Sequence, residues 1–119
     1  MHKKVLIVDD SDSGRYVVSS TLINAGYEVV QAVNGKDALE KIDGAKIGVV
    51  STDLNMPEVN GIELTKQLRG TAEHRSTPVI ILSAESSRAH WRQQVNECVW
   101  IEKPFNCKKL VDIVRKLEQ

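Results

Sequence analysis

Short apolar runs alternate with amphipathic segments along the chain, and this alternation restricts the possible folds more than any other feature. The runs are rich in β-branched residues and predict buried strands. They cover Val5–Val8, Val29–Val30, Ile47–Val50, Val79–Leu82 and Cys98–Ile101. Because strands that alternate with helices build a parallel sheet with helices on both faces, the sequence predicts an α/β fold. We expect a doubly wound, five-stranded parallel sheet made of five βα repeats.

The predicted helices begin at polar capping residues and have one apolar face. Their starts are marked by Ser11, Asn34, Asn60 and Asn106. The first helix has four apolar residues that we expect to be buried: Val17, Val18, Leu22 and Ala25. The fourth helix, from about Ser87 to Asn96, is the most polar, and residues 71–77 are expected to form a loop.

Length and charge indicate one globular domain. The chain has 119 residues, of which 41% are hydrophobic, enough for a core without disulfides or structural metal. We therefore expect a single domain over residues 1–119. Because 16 basic and 16 acidic residues cancel, no overall field favours nucleic acid or an acidic membrane. No apolar run reaches membrane-spanning length and no export signal begins the chain, so we expect a cytoplasmic protein.

The cysteines and histidines do not have the spacing of metal ligands. Cys98 and Cys107 fit neither a zinc motif nor a redox motif, and we expect them to be reduced, packed thiols. His2, His74 and His90 are scattered along the chain and are expected at the surface.

Polar residues follow four of the predicted strands at their carboxyl ends. They are Asp9, Asp10, Asp53, Ser83 and Lys103. Because parallel strands all point the same way, these residues meet at one edge of the sheet, where ligands of such sheets bind. Three carboxylates at this edge repel one another unless a cation lies between them. Oxygen ligands suit a hard, partly hydrated divalent ion, with Mg²⁺ the first choice.

The same residues make up a site for phosphoryl transfer. The site would contain a carboxylate nucleophile and a metal. It would also contain Lys103, which can bind an oxyanion, and the hydroxyl of Ser83. The sequence has no glycine-rich phosphate loop, so we expect no nucleotide. The phosphoryl group must then come from a donor protein or a small activated phosphate.

With these motifs in place, the sequence resembles the receiver domains of two-component response regulators, and in length it resembles the stand-alone, CheY-like type. The resemblance covers the whole chain. It rests on Asp9-Asp10, Asp53-Leu54-Asn55-Met56-Pro57 with Gly61, Ser83-Ala84, and Lys103-Pro104-Phe105. It implies the flavodoxin-like (βα)5 fold with strand order 2-1-3-4-5.

The resemblance implies a role for each residue of the site. Asp53 resembles the phosphoacceptor, which also contacts the metal. Asp10 resembles the direct Mg²⁺ ligand, Asp9 the acid that acts through a water molecule, and Asn55 the residue that contributes its backbone carbonyl. Mn²⁺ could substitute for Mg²⁺. Lys103 resembles the lysine that contacts the phosphoryl group.

Further residues resemble the switch of the family. Ser83 is expected to move toward the phosphoryl group on activation. Trp100 stands where the family usually has Tyr or Phe, and it is expected to swing inward with Ser83. Because an indole is larger than a phenol and lacks its hydroxyl, we expect this coupling to be slower or differently biased. The Lys103-Pro104 bond is expected to be cis, and Glu85 and Asn55 to tune hydrolysis of the phosphoryl group.

The implied function is that of a signalling switch with slow autodephosphorylation rather than an enzyme. A sensor histidine kinase or phosphotransfer protein is expected to contact the first helix near Gly14, Arg15 and Val18. A downstream protein is expected to contact the fourth helix, fifth strand and fifth helix around Arg88 to Arg92, Trp100 and Lys108. We expect output by protein contact, without direct nucleic-acid binding or membrane insertion, from a monomer or a weak phosphorylation-dependent dimer.

Two alternatives use the same sequence differently. Asp10-Ser11-Asp12 after an apolar strand also resembles the opening of haloacid-dehalogenase-type phosphatases, in which Asp10 would be the nucleophile. That family needs further metal-binding acids after the lysine, whereas here only Asp112 and Glu118 follow, both in a predicted helix. It also leaves Asp53 to Gly61 unexplained. The second alternative is a receiver-shaped module that binds partners without being phosphorylated.

Overall fold

A computed structural model describes residues 4–42, 46–56, 59–84 and 98–118. The strands are β1 (Lys4–Val8), β2 (Val29–Ala32), β3 (Ile47–Asp53), β4 (Val79–Ala84) and β5 (Val99–Lys103). The helices are α1 (Asp12–Asn24), α2 (Gly35–Ile42), α3 (Gly61–Arg69) and α4 (Cys107–Glu118). The helix predicted from about Ser87 to Asn96 lies outside the described residues.

The five strands form one parallel sheet in the order β2-β1-β3-β4-β5. The predicted fold class and strand order are therefore confirmed. The central strand β3 pairs with β1, where Val8 lies opposite Thr52, and with β4, where Leu82 lies opposite Asp53. The carboxyl ends of these strands consequently share one edge of the sheet.

Both faces of the sheet are covered by helices. Leu6 and Ile81 belong to a core cluster beneath α2 and α3, and Ile7 and Ile80 to a second cluster beneath α1 and α4. Burying one such aliphatic side chain contributes about 1.5–3 kcal/mol. Because both faces are filled with apolar side chains, polar chemistry is confined to the edge at which the strands end. Among the described residues, no helix is long and apolar enough to cross a membrane.

The helix boundaries follow the predicted caps. The side chains of Ser11, Asn60 and Asn106 accept hydrogen bonds from backbone N–H groups three residues further on, at 3.2, 2.9 and 2.8 Å. After α1 the chain reverses at Gly26, whose φ of +98° lies in the left-handed region that favours glycine.

The predicted buried face of α1 was wrong at Val17. This side chain is 47% exposed, whereas Val18 and Leu22 are buried. Consecutive residues of a helix are about 100° apart around its axis. When Val18 and Leu22 point toward the core, Val17 therefore lies on the flank of the helix, where solvent reaches it. Ala25, also predicted to be buried, is the half-buried residue at the end of α1.

Two other predictions of burial or exposure were wrong. His74 is buried, with Nδ1 at 3.1 Å from Thr77 Oγ1, and Arg69 donates to its backbone oxygen at 3.1 Å. These contacts fold the connection after α3 back on itself and enclose the ring. Cys107 is exposed rather than packed, while Cys98 is partly buried, and neither forms a disulfide bond within the described residues. His2 and His90 lie outside the described residues.

A reciprocal cap at the start of α2 gives a test of this local structure. Asn34 Oδ1 accepts from the Asp37 N–H at 2.7 Å, and Asp37 Oδ2 accepts from the Val33 N–H at 3.0 Å, which resembles a capping box. We expect Asn34→Ala to lower the free energy of unfolding by about 1 kcal/mol in urea denaturation. Asn34→Asp keeps the acceptor and should lose less than about 0.5 kcal/mol. An equal loss in both variants would contradict the capping role.

Candidate functional site

Three carboxylates lie together at the carboxyl ends of β1 and β3. Asp9, Asp10 and Asp53 each offer an oxygen, and the three oxygens lie within 4.8 Å of one another. Asp9 and Asp53 are buried and Asp10 is exposed. A cluster of oxygen donors with one side open to solvent fits a hard divalent cation that keeps some of its water. The predicted convergence of these three residues is confirmed, and together they could hold a metal.

Asp9 is the acid most affected by its surroundings. Burial raises the pKa of its carboxyl group above the usual value, and the neighbouring charges of Asp53 and Asp10 act in the same direction. The Ser11 N–H, which donates to Asp9 Oδ1 at 2.9 Å, and the charge of Lys103 oppose this rise. A positive charge in the cluster would favour the ionised form.

Lys103 contacts Asp53 directly. Its Nζ donates to Asp53 Oδ1 at 2.5 Å, and the two groups form a salt bridge. The strand that separates them in the sheet is β4, so the lysine side chain reaches across one strand to the central carboxylate. The Lys103-Pro104 peptide bond is cis, as expected. Lys103 thus lies at the same edge of the sheet as the carboxylates, as predicted, and its role toward a phosphoryl group stays a prediction.

Ser83 and Trp100 occupy neighbouring strands beside this cluster. Ser83 is 1% exposed, and its Oγ has no hydrogen-bond partner among the described residues. Trp100 lies opposite Ile81 and packs, partly buried, against the core cluster beneath α2 and α3. A buried hydroxyl without a hydrogen-bond partner costs free energy. The Ser83 hydroxyl is therefore a hydrogen-bond donor that remains available beside the site.

The remaining predicted residues are placed only in part. Asn55 is exposed two residues beyond the end of β3. Pro57, Glu85 and the segment Arg88 to Arg92 lie outside the described residues. The carbonyl role of Asn55 and the effects of Asn55 and Glu85 on hydrolysis stay predictions.

The structure explains why position 61 is glycine, which its place in the motif did not reveal. α3 begins directly against the end of β3, where the Gly61 N–H donates to the Leu54 carbonyl at 3.0 Å. A Cβ atom at position 61 would lie 2.7 Å from the Asp53 backbone oxygen and 3.2 Å from Leu54 Cα. Because these are backbone atoms, they cannot turn aside as a side chain could. The glycine therefore lets α3 pack against the backbone of the central aspartate.

Two further residues contact Asp9. Arg15 Nη1 donates to the Asp9 backbone oxygen at 2.9 Å, and the Asp9 carboxylate lies so close to Gly14 that a Cβ atom there would overlap it. From the sequence, both residues were predicted only to lie near the contact with a partner protein. Because one interaction ends on a backbone oxygen and the other depends on a missing side chain, no residue pattern indicated them.

An apolar cavity opens beside the carboxylates. It has a volume of about 440 Å³ and lies between α1 and the connection from β5 to α4. Asp9 and Lys103 line its polar end. Its other lining residues are Gly14, Val17, Val18, Leu82, Pro104 and Phe105. The exposed side of α1 therefore continues into an apolar recess that reaches the acidic cluster.

Comparison with known proteins gives the family. A model of the response regulator receiver domain matches residues 5–115. The chain belongs to the response regulator receiver family. Chemotaxis protein CheY1 of Helicobacter pylori is 39% identical over 106 residues, which cover 86% of each chain. Chemotaxis protein CheY of Thermotoga maritima is 33% identical over 122 residues, which cover 100% of each.

Solved structures agree with this assignment. The structure of the chemotaxis response regulator CheY4 of Vibrio cholerae matches this chain with a TM-score of 0.89 and 38% identity, covering 98% of this chain and 99% of that one. The chain is accordingly a CheY-like receiver domain, and receiver domains of this type belong to two-component signalling. They are signalling domains rather than classical enzymes.

The packing of Gly61 predicts a strong effect of a single methyl group. We expect Gly61→Ala to lower the free energy of unfolding by about 1–3 kcal/mol, because the added Cβ overpacks against rigid backbone. Urea denaturation measures this loss. Gly70→Ala is the matched control, since a Cβ there would meet nothing closer than 3.4 Å. Equal stabilities of the two variants would show that α3 can move away from Asp53 without cost.

Proposed function

We propose that this receiver domain is a phosphorylation-dependent switch in which Asp53 accepts a phosphoryl group from a phosphohistidine. The donor is a sensor histidine kinase or a phosphotransfer protein. The observation that carries the proposal is the contact of Lys103 with Asp53 inside the cluster of three carboxylates. It supports the proposal because a carboxylate that could act as nucleophile, an ammonium group that could bind an oxyanion and oxygen atoms that could hold a metal lie at one edge of the sheet.

Different residues of the chain carry out different steps of the phosphoryl transfer. An Asp53 carboxylate oxygen attacks the phosphorus atom, the bond from phosphorus to the histidine nitrogen breaks, and the released imidazole takes a proton from solvent. Lys103 leaves its resting contact and binds a phosphoryl oxygen. Asp10, Asp53, the Asn55 carbonyl and, through water, Asp9 would hold Mg²⁺, for which Mn²⁺ could substitute, and the ion would neutralise charge on the phosphoryl oxygens.

The new charge on Asp53 biases a two-state element of the domain. The unpartnered Ser83 hydroxyl donates to a phosphoryl oxygen, which draws β4 toward Asp53, and Trp100 follows into the space that Ser83 leaves. The output face then changes around Trp100 and Lys108 and across the segment Arg88 to Arg92, where a downstream protein binds. Slow hydrolysis of the acyl phosphate, tuned by Asn55 and Glu85, resets the switch.

The donor protein is proposed to dock on the first turns of α1. Tyr16 is 72% exposed there, and the exposed Val17 lines the apolar cavity that reaches Asp9 and Lys103. A partner that inserts an apolar side chain into this recess would bring its phosphohistidine close to Asp53. Apolar burial holds such a partner while the charged end of the cavity stays available for the phosphoryl group.

Phosphorylation of the purified domain tests the proposed acceptor. We expect incubation with a small phosphodonor and Mg²⁺ to add one phosphoryl group, detected by intact-protein mass spectrometry. Asp53→Asn should abolish the adduct because the amide is not a nucleophile of this kind. Asp10→Asn, or chelation of the metal, should reduce the yield at least about tenfold because a metal ligand is lost.

Other outcomes of this experiment support the alternatives. An adduct that survives in Asp53→Asn and disappears in Asp10→Asn would indicate the haloacid-dehalogenase-type phosphatase. The contact of Lys103 with Asp53 favours Asp53 as the acceptor. If a histidine kinase panel and small donors all leave the wild-type mass unchanged, the domain is a binding module that acts without phosphorylation.

Two substitutions on one helix test the proposed docking surface. Val17→Glu places a charge in the apolar recess, so we expect transfer from a phosphorylated histidine kinase to slow at least about tenfold, while labelling by a small donor stays unchanged. Ile23→Glu is the matched control, since Ile23 is 52% exposed on the same helix and does not line the cavity. Equal slowing by both variants would reject the recess as the contact.

A further inference from the structure

Arg15 joins the end of β1 to the first turn of α1. Its Nη1 donates to the Asp9 backbone oxygen at 2.9 Å, and its Nη2 forms an ion pair with Asp12 Oδ1 at 2.6 Å. The arginine side chain is only 15% exposed. A guanidinium group presents its donors in a fixed planar fork, so this one side chain contacts both the backbone oxygen of Asp9 and the exposed carboxylate of Asp12.

The segment that the fork encloses carries the acidic cluster. Asp10 and Ser11 lie between Asp9 and Asp12, and the Ser11 N–H donates to Asp9 Oδ1 at 2.9 Å. The orientation of Asp10, an exposed residue outside any strand or helix, depends on the backbone of this segment. Because Arg15 contacts Asp9 before Asp10 and Asp12 after it, it is placed to influence the direction in which Asp10 projects.

The arginine does this without occupying a metal-binding oxygen. Within the described contacts of Arg15, the Asp9 interaction goes to the backbone carbonyl, and the carboxylate contact goes to Asp12, which is not part of the cluster. Lys103 behaves differently, because it contacts the Asp53 carboxylate itself. The two cations therefore have different relations to the site: one lies against a carboxylate, and the other supports the backbone behind it.

We propose that Arg15 is a positioning residue that holds Asp9 and Asp10 in the arrangement required by a divalent cation. This inference rests on the proposed function, since it concerns the metal site used there. Groups that orient metal ligands without touching the metal typically change its affinity by 10–100-fold when they are removed.

The sign of the effect separates positioning from simple charge. Removing a positive charge near a cation site should strengthen cation binding if the arginine acts only through its field. Removing a group that orients the ligands should weaken it. Positioning predicts the affinity order wild type, Arg15→Lys, Arg15→Met, since lysine restores one donor to the Asp9 carbonyl and methionine restores none. A field effect predicts that Arg15→Met binds most tightly.

Metal titration of the unphosphorylated domain makes the test. Binding of Mg²⁺ is measured by isothermal titration calorimetry and binding of Mn²⁺ by electron paramagnetic resonance of the free ion, with melting temperatures recorded without metal. We expect Arg15→Met to weaken binding about tenfold or more and Arg15→Lys to recover part of this loss. Lys46→Met removes one exposed positive charge before β3, at the opposite edge of the sheet, and should bind like wild type.

The metal affinity of the Arg15 variants decides whether the inference holds. If Arg15→Met binds the metal as tightly as wild type or more tightly, Arg15 does not position the acids, even where the melting temperature falls. If Arg15→Met is unfolded by circular dichroism, Arg15→Lys carries the test, and wild-type affinity in that variant overturns the inference. The Asp10→Asn variant distinguishes failure of the Arg15 inference from failure of the proposed function. When wild type and Asp10→Asn bind metal equally, the acidic cluster is not the metal site and both proposals fail.

Discussion

Repulsion among three carboxylates at one edge of the sheet is the interaction on which the rest of this structure depends. The parallel topology brings these acids together, because β1 and β3 are neighbours, Asp9 follows β1 directly and Asp53 is the last residue of β3. Lys103 offsets part of the repulsion by pairing with Asp53, but Asp9 and Asp10 remain. The repulsion therefore raises the electrostatic free energy of the fold at an edge of the sheet that solvent can reach. A bound cation or a transferred phosphoryl group would change this repulsion directly.

Close packing and hydrogen bonds hold both the backbone and the side chains of the carboxylates in place. α3 starts against the carbonyl of Asp53 because Gly61 has no Cβ, and the N–H of Ser11 turns back onto Asp9. Since the apolar faces of the sheet are filled on both sides, the strand ends cannot retreat into the core to relieve the repulsion. The acids must stay close together, which is the preorganisation that a metal site requires.

Strand positions and the convergence of the site could be predicted because they depend on local order along the chain. An apolar run followed by Asp or Lys gives both the strand and the edge at which its polar residue emerges. Burial on helices and in connections was harder to predict, because it depends on rotation and on contacts between distant residues. Val17 turned outward through the rotation of α1, and His74 was enclosed by Arg69. The contact of Arg15 with Asp9 was not predicted because it ends on a backbone oxygen.

The proposed donor site and the proposed switch lie on opposite faces of one sheet. Leu82 lines the donor cavity on the face covered by α1 and α4, whereas Trp100 packs on the face covered by α2 and α3. Successive residues of a strand point to opposite faces, so Ser83 shares the face of Trp100 rather than that of Leu82. A signal that begins with phosphoryl transfer on one face must therefore cross β4 between two consecutive residues. Its shortest physical route is the pull of the phosphoryl group on the Ser83 hydroxyl, which would couple donor chemistry to the output face without a change of fold.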